Sequence, residues 1–262
     1  MSGYVELHAR SAFSFLRGAS LPGELVRVAS DLALPALALL DRDGVYGAPR
    51  LYAAARENGL RALVGAEITM VDGSVVPLLA ATRAGYENLC QLITETKLTA
   101  RPPLLAAPES APASDPTERK RPCFATWSEL AQFSTGLIAL TGDEDGPVRR
   151  AWQSAGKEAA GTALEKLSTI FGPDSLYVEL QRHRVRGENR EIKFLTDLAA
   201  AHRLPVLATG GVNHATKTGR EIADVFTCLR LHTTLDAAGR ALSLNDERHL
   251  KTPAEMSALF AD

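Results

Sequence analysis

Tyr4-Val5-Glu6-Leu7-His8-Ala9-Arg10-Ser11-Ala12-Phe13-Ser14-Phe15-Leu16-Arg17-Gly18 is the stretch on which the reading of this chain turns. From Tyr4 to Arg10 the residues alternate. Val5, Leu7 and Ala9 share one side, and Glu6, His8 and Arg10 share the other. Side chains two apart on a strand share a face, so a strand carrying a glutamate, a histidine and an arginine side by side is expected. Such a strand is either a solvated edge or the floor of a site. The rest of the chain favours the site, because polar residues recur at the ends of later apolar runs.

Working outward, Pro22 stands near a helix start, and Glu24-Leu25-Val26-Arg27-Val28-Ala29 continues with helical spacing. Ala36-Leu37-Ala38-Leu39-Leu40 is a continuous apolar run, as in a strand buried on both faces, and it stops at Asp41-Arg42-Asp43-Gly44. A helix over about 48–58 ends at Gly59. Strands over 61–70 and 75–82 flank a turn at Asp72-Gly73, and a helix covers about 86–98. Later come strands over 136–140, 175–180 and 204–208, one or two helices over 146–170, and helices over 188–202 and 218–229. Thr126-Trp127-Ser128-Glu129 and Thr252-Pro253-Ala254-Glu255 carry capping-box signatures; the second opens a helix that the terminus is expected to cut short. Residues 101–122 hold six prolines and few large apolar side chains, which predicts an exposed, mobile loop.

About seven short apolar strands alternating with helices favour a parallel sheet, closed as a barrel or opened as a doubly wound sheet. The pattern leaves both open. A glycine-rich phosphate fingerprint does not follow the first strand, which argues against a dinucleotide-binding sheet. In either architecture ligands gather at the carboxyl ends of the strands. There lie His8 and Arg10, Asp41, Arg42 and Asp43, Glu67, Asp143, Glu179 to His183, and Asn213.

The chain has 262 residues, 45% of them hydrophobic, enough to bury a large core. A formal net charge of −2 supplies no general attraction for nucleic acid. Cys90, Cys123 and Cys228 form neither a disulfide framework nor a Cys-x-x-Cys metal motif, which suits a reducing cytoplasm. Apolar runs fall short of the ~18 residues a membrane helix needs, so no membrane partner is expected.

The opening stretch resembles the start of the PHP (polymerase and histidinol phosphatase) domain of bacterial C-family DNA polymerases, in particular the error-prone DnaE-type enzymes. In that family the strand usually ends in His-x-His, followed by Ser-Phe/Tyr-Ser-x-Leu-Asp-Gly. Here His8 keeps the first histidine, Arg10 stands at the second, and Arg17 stands at the aspartate. The resemblance continues along essentially the whole chain. Asp41-Arg42-Asp43-Gly44 is similar to a Thr-Asp-His/Arg-x-Gly segment, with Arg42 at a position often held by His. Val64-Gly65-Ala66-Glu67 is similar to a Gly-x-Glu strand, with Glu67 at its ligand. Pro77 stands where a ligand His commonly precedes an apolar strand, and Asp143 of Leu140-Thr141-Gly142-Asp143 replaces a Cys. Ala208-Thr209-Gly210-Gly211-Val212-Asn213 would place Gly211 and Asn213 at an Asp and a His, while a one-residue slip would offer His214 instead. The segments Ala223-Asp224-Val225-Phe226-Thr227-Cys228-Leu229-Arg230-Leu231-His232 and Asn245-Asp246-Glu247-Arg248-His249-Leu250 look like the error-prone branch.

The resemblance implies a distorted (β/α)7 barrel of the PHP fold in a single domain, 1–262. Residues from about 230 to 262 would lead toward a polymerase body, of which this chain would be an excised N-terminal domain. The parent activity would be that of a DNA-directed DNA polymerase in translesion synthesis and repair, whose active-site carboxylates lie further along such proteins. Partners would be the remainder of the polymerase, DNA through it, and other replisome or mutasome proteins. Of nine implied ligand positions only His8 and Glu67 match, with Asp143 a substitute. Arg10, Arg17 and Arg42 would bring fixed positive charge, expelling metals while neutralising Glu6, Glu67, Asp41 and Asp143. A degenerate site without catalytic residues or bound metal is therefore expected, with His8, Glu67 and Asp143 the ligands for Zn2+ or Mn2+ if one binds. The alternatives are a metal-dependent 3′–5′ exonuclease or phosphoesterase, and a free-standing small-molecule phosphatase.

Other residues have plainer readings. Arg182, Arg184 and Arg186 are either nucleic-acid contacts or a solvated face. Arg119-Lys120-Arg121 reads as a solubilising patch. His183 reads as a solvated loop histidine, and His202, His232 and His249 as helix-end or surface residues.

Overall fold

The computed structural model describes residues 4–99 and 123–261; the loop expected over 101–122 lies outside them. Seven strands, β1 (Glu6–Ala9), β2 (Ala36–Arg42), β3 (Arg61–Thr69), β4 (Val75–Ala80), β5 (Leu137–Leu140), β6 (Leu176–Gln181) and β7 (Val206–Thr209), form one sheet in sequence order. Pairing is parallel except at β4, which runs antiparallel to both β3 and β5. The expected parallel sheet is corrected there. The connection through Asp72-Gly73 is too short for a parallel crossover, which needs about a dozen residues, whereas an antiparallel pair closes with a tight turn.

The sheet curls until its edges meet. Just beyond β7, Val212 accepts a hydrogen bond from Arg10 N at 2.8 Å and donates to His8 O at 3.0 Å, so β1 and the end of β7 face each other. This near-closure selects the barrel over the doubly wound sheet. Its apolar interior draws on every strand, including Leu7, Leu40, Leu79, Leu140, Tyr177 and Leu207. Outside, α1 (Pro22–Asp31) and α2 (Ala48–Glu57) cover Leu37 and Leu39. Helices α3 (Arg83–Leu98), α4 (Trp127–Gln132), α5 (Pro147–Phe171) and α6 (Glu188–His202) cover β3 to β6. Of the one or two helices expected over 146–170, two segments form, joined at Gly156, whose φ of 86° no right-handed helix contains.

α7 (Gly219–Leu231), α8 (Leu235–Ala238), a 3-10 turn (Gly239–Ala241) and α9 (Pro253–Leu259) complete the described elements. Both capping boxes form, Thr126 with Glu129 and Thr252 with Glu255. α9 ends at Leu259 with Phe260 as its C-cap.

In β1, Glu6 pairs with Leu37 and Ala9 with Leu39, so Leu7 and His8 together oppose one residue. The strict alternation expected of this strand breaks at that bulge. Leu7 packs into the barrel interior while Ala9 packs toward α1 and α2. A bulge re-aims a side chain, and here it lets His8 enter the barrel mouth beside Arg10.

A candidate charged centre at the barrel mouth

His8, Arg10 just past it, Arg42, Glu67, Asp143 and Glu179 come from four strands (β1, β2, β3 and β6) and the loop after β5, and they meet at the carboxyl ends of the parallel strands. His8 Nε2 donates to Glu67 Oε1 at 2.9 Å and Nδ1 donates to Glu179 Oε1 at 2.7 Å, all three side chains being fully buried. Burial disfavours the imidazolium, but the Glu179 charge and the hydrogen bonds accepted by both carboxylates outweigh it and raise the pKa to about 10. His8 is therefore a cation at neutral pH.

Glu67 also accepts from Arg10 Nη2 at 2.5 Å and from Arg42 Nε at 2.9 Å. Burial raises its pKa, and the Arg10 and Arg42 guanidiniums overturn that and hold the carboxyl well below the usual range. The same Arg10 nitrogen donates to Asp143 Oδ2, whose pKa is likewise depressed, against its burial, by Arg10 and then Arg248. Arg42 reaches on to Asp145 at 3.3 Å. Glu179 completes its set with Gln181 Nε2 at 2.8 Å and the Thr209 hydroxyl.

Two carboxylates expected to be neutralised by arginine are not. Asp41 accepts from Ser11 N at 2.8 Å, from the Ser11 hydroxyl and from the Ser14 hydroxyl at 2.8 Å. Glu6 accepts from the Tyr4 hydroxyl at 2.6 Å and from the His8 and Gly210 amides at 2.8 Å each. Burial raises both carboxyls above their ordinary values. The physical reason is reach: each lies beside a turn whose amide and hydroxyl donors satisfy it before a guanidinium does. Asp41 clamps the turn after β1, and Glu6 holds the seam between β1 and β7.

The remaining expected positions surround this centre. Pro77 is the antiparallel partner of Glu67 in the β3–β4 ladder. Gly211 has a φ of 55°, and a Cβ there would stand 2.4 Å from Gln181 Oε1, so a side chain at Gly211 meets both backbone strain and a neighbour. Asn213 and Arg17 line a cleft over the centre. His214 turns elsewhere, its Nδ1 donating to Thr216 O at 2.8 Å, so the slip to His214 is not realised. Arg182 Nη1 donates to Leu259 O at 2.5 Å and its guanidinium stacks over Phe260, tying β6 to α9. Arg184 and Arg186 are exposed.

His183 is not the solvated loop histidine expected. It is buried, Nε2 donates to Gly210 O at 2.8 Å, and burial lowers its pKa to about 3. His249 is also buried, with Nδ1 donating to Asp246 O at 2.8 Å, because the segment after the 3-10 turn folds back over the barrel mouth. Sequence reasoning placed Glu179 at a strand end without assigning it a role, and missed Arg248 as a member of the site. Glu179 carried the signal of a strand-end carboxylate. Arg248, which grips Glu144 with one nitrogen at 2.8 and 2.7 Å, lies where only tertiary folding brings it.

One oxygen or nitrogen each from His8, Glu67 and Asp143 lies within 4.8 Å of the others, and among the described residues this is the group a metal would use. The Arg10 guanidinium, however, bonds Glu67 and Asp143 and stands 3.4 Å from His8 Nε2. Two unit charges at ~4 Å repel by ~4 kcal/mol at an effective dielectric of ~20, and a divalent ion doubles that. His8 Nε2, the ring nitrogen facing this group, is already hydrogen-bonded to Glu67. As arranged, these residues do not fit a metal ion.

An α/β barrel with a polar centre at its C-terminal mouth defines the class. The model of the PHP domain matches residues 6–183, more than half of the chain, and the chain belongs to the PHP domain family. It is 35% identical over 259 residues to an error-prone DNA polymerase of Symbiobacterium thermophilum, covering 99% of this chain and 24% of that protein. It is 37% identical over 267 residues to an error-prone DNA polymerase of Anaeromyxobacter sp., covering 99% and 21%. The chain thus spans a fifth to a quarter of these relatives. Among solved structures, an amidohydrolase from Chromobacterium violaceum matches with a TM-score of 0.57 at 15% identity, covering 80% of this chain and 87% of that one. A putative metal-dependent phosphoesterase from Bifidobacterium adolescentis matches with a TM-score of 0.52 at 17% identity, covering 80% and 88%. These two carry the fold.

Proposed function

We propose that this is the N-terminal PHP domain of an error-prone DNA polymerase of the polymerase III alpha type, and that arginines have taken the place of the family's cation cluster. In this reading His8, Arg10, Arg17, Arg42, Glu67, Pro77, Asp143, Gly211 and Asn213 are vestigial metal positions. The domain braces the polymerase and does not cleave phosphoesters. Its setting is translesion synthesis and repair in the cytoplasm, with the rest of the polymerase, DNA and accessory replication proteins as partners.

One observation supports the reading most. Arg10 Nη2 bonds Glu67 and Asp143 together, as a cation would, and links β1, β3 and the loop after β5. The similarity to error-prone polymerases over 99% of the chain supports the setting and weighs against a free-standing phosphatase. The second reading, a metal-dependent 3′–5′ exonuclease, draws on the approach of His8, Glu67 and Asp143. It requires Arg10 to leave and His8 to lose its proton.

Elemental analysis of protein purified without added metal, followed by a nuclease assay on 3′-ended DNA with Mn2+ or Zn2+, tests the proposal. The expected result is no stoichiometric metal and no nucleotide release. Two or more tightly held ions per chain, or release stimulated by Mn2+, would overturn it.

A further inference from the structure

α7 presents to solvent the face that an outer helix ordinarily buries. Such a helix turns an apolar stripe toward the core and polar side chains toward water. Here Ile222, Val225, Phe226 and Leu229 recur at the i, i+3, i+4, i+7 spacing of one face, while the side chains α7 buries are Ala223, Asp224 and Cys228. Ile222, Val225 and Leu229 are 49%, 43% and 56% exposed. With Leu231, Leu235 and Leu244 they make six of the thirteen large apolar side chains that are exposed among the described residues. Single exposed apolar residues are ordinary, whereas their concentration on one element marks an interaction surface.

The stripe does not come from a loose helix. Asp224 Oδ1 accepts from Ser243 N at 3.2 Å, and Arg220 Nη2 donates to Ser243 O at 2.9 Å. Past the C-cap, His232, Thr233 N donates to Cys228 O at 3.0 Å. These bonds hold α7 by its polar face and fix its rotation, so the apolar face stays outward. Ala223 and Thr227 line the cleft over the charged centre, so cleft and stripe occupy different faces of the helix.

The place of α7 in the chain points to what covers it. The PHP match ends at residue 183, before α7 begins. The match to the error-prone polymerases runs over 99% of the chain and takes α7 in, and those proteins are more than four times as long as this chain. α7 is thus shared with long polymerases and lies outside the part matched as PHP domain. Its stripe carries no charge, with Glu221 exposed along one edge and Arg230 along the other, the pattern of an apolar interface core inside a polar rim. We propose that Ile222, Val225 and Leu229 dock an apolar surface of the polymerase body, the part of the same polypeptide that lies outside this domain. This rests on the reading of the chain as a polymerase domain and gives the bracing role a specific face.

Hydrogen–deuterium exchange tests it, comparing the 262-residue chain with the full-length natural product, whose size in its own cells an antibody against the chain first establishes. The expected product is several times larger than 28.0 kDa. Amides of 219–231 should exchange at least tenfold more slowly in it than in the isolated chain, because docking suppresses local opening. That protection should vanish in a full-length Val225→Asp, Leu229→Asp double variant and persist in Tyr52→Asp, an exposed apolar control on α2. The isolated double variant should melt with its parent; an early melt would mean that the stripe packs within the domain and would overturn the inference. Equal exchange of 219–231 in the isolated and full-length proteins, or protection that survives the double substitution, overturns this inference alone. A natural product of 28.0 kDa overturns it together with the polymerase reading. Protection that grows with the concentration of the isolated chain assigns the stripe to a second copy and overturns the proposed occupant.

Discussion

The Arg10 guanidinium lies 2.5 Å from a Glu67 oxygen that also accepts from His8 at 2.9 Å, so one carboxylate joins two cations drawn from the same strand. Glu67 is fully buried and the Arg10 side chain is 7% exposed. In such a place a carboxylate keeps its charge only while its partners remain.

Glu67→Gln is therefore expected to destabilise the domain by about 3–5 kcal/mol at pH 7, the usual cost of leaving buried charge unpaired. The native pKa of Glu67 is depressed. Its stabilisation is present above the ordinary glutamate pKa and is lost as pH falls through the native value. Urea denaturation of parent and variant should converge as the pH is lowered through that window. A gap that stays constant with pH would contradict the assignment of the charge.

Arg10→Met should also destabilise, and the double variant with Glu67→Gln should lose less than the sum of the single losses, by about 0.5–3 kcal/mol. A double-mutant cycle from denaturation midpoints reads this directly. Simple additivity would mean that Arg10 does not serve as the substitute cation.

His8 should be doubly protonated across the neutral range. Its folded pKa of about 10 lies above the ordinary histidine value of 6.5, so its contribution to stability is full below about 6.5 and is lost as pH rises through 10. Nitrogen-edited NMR should show both ring N–H groups of His8 at pH 8, whereas His183, lowered to about 3, should be neutral there. Titration of His8 near 6.5 would remove the basis for the charged centre.

Gly18→Ala probes the loop that carries Arg17. A Cβ at Gly18 would stand 2.1 Å from the backbone oxygen of Ser11, and backbone cannot yield as a side-chain tip can. A loss of about 1–3 kcal/mol is expected, the range for overpacking, and thermal denaturation measures it. A melting temperature equal to the parent's would show that the Ser11–Gly18 contact is not rigid.

Much of the fold was legible in the residues alone. The run from Ala36 to Leu40, the turn at Asp72-Gly73 and both capping boxes are local chemistry, with β-branched, apolar, glycine or threonine residues acting on their immediate neighbours. The identities of His8, Arg10, Arg42, Glu67 and Asp143 as strand-end residues were equally local. What tertiary structure alone decided was which of them meet. The bulge in β1 depends on register against β2, the reversal of β4 on pairing with two neighbours, and the burial of His183 and His249 on the returning tail. Arg10 pairs with Glu67 and Asp143, but Asp41 and Glu6 are satisfied by their own turns. A charge has no preferred partner along the chain. Distance and competing donors choose one, and both exist only once the barrel has closed.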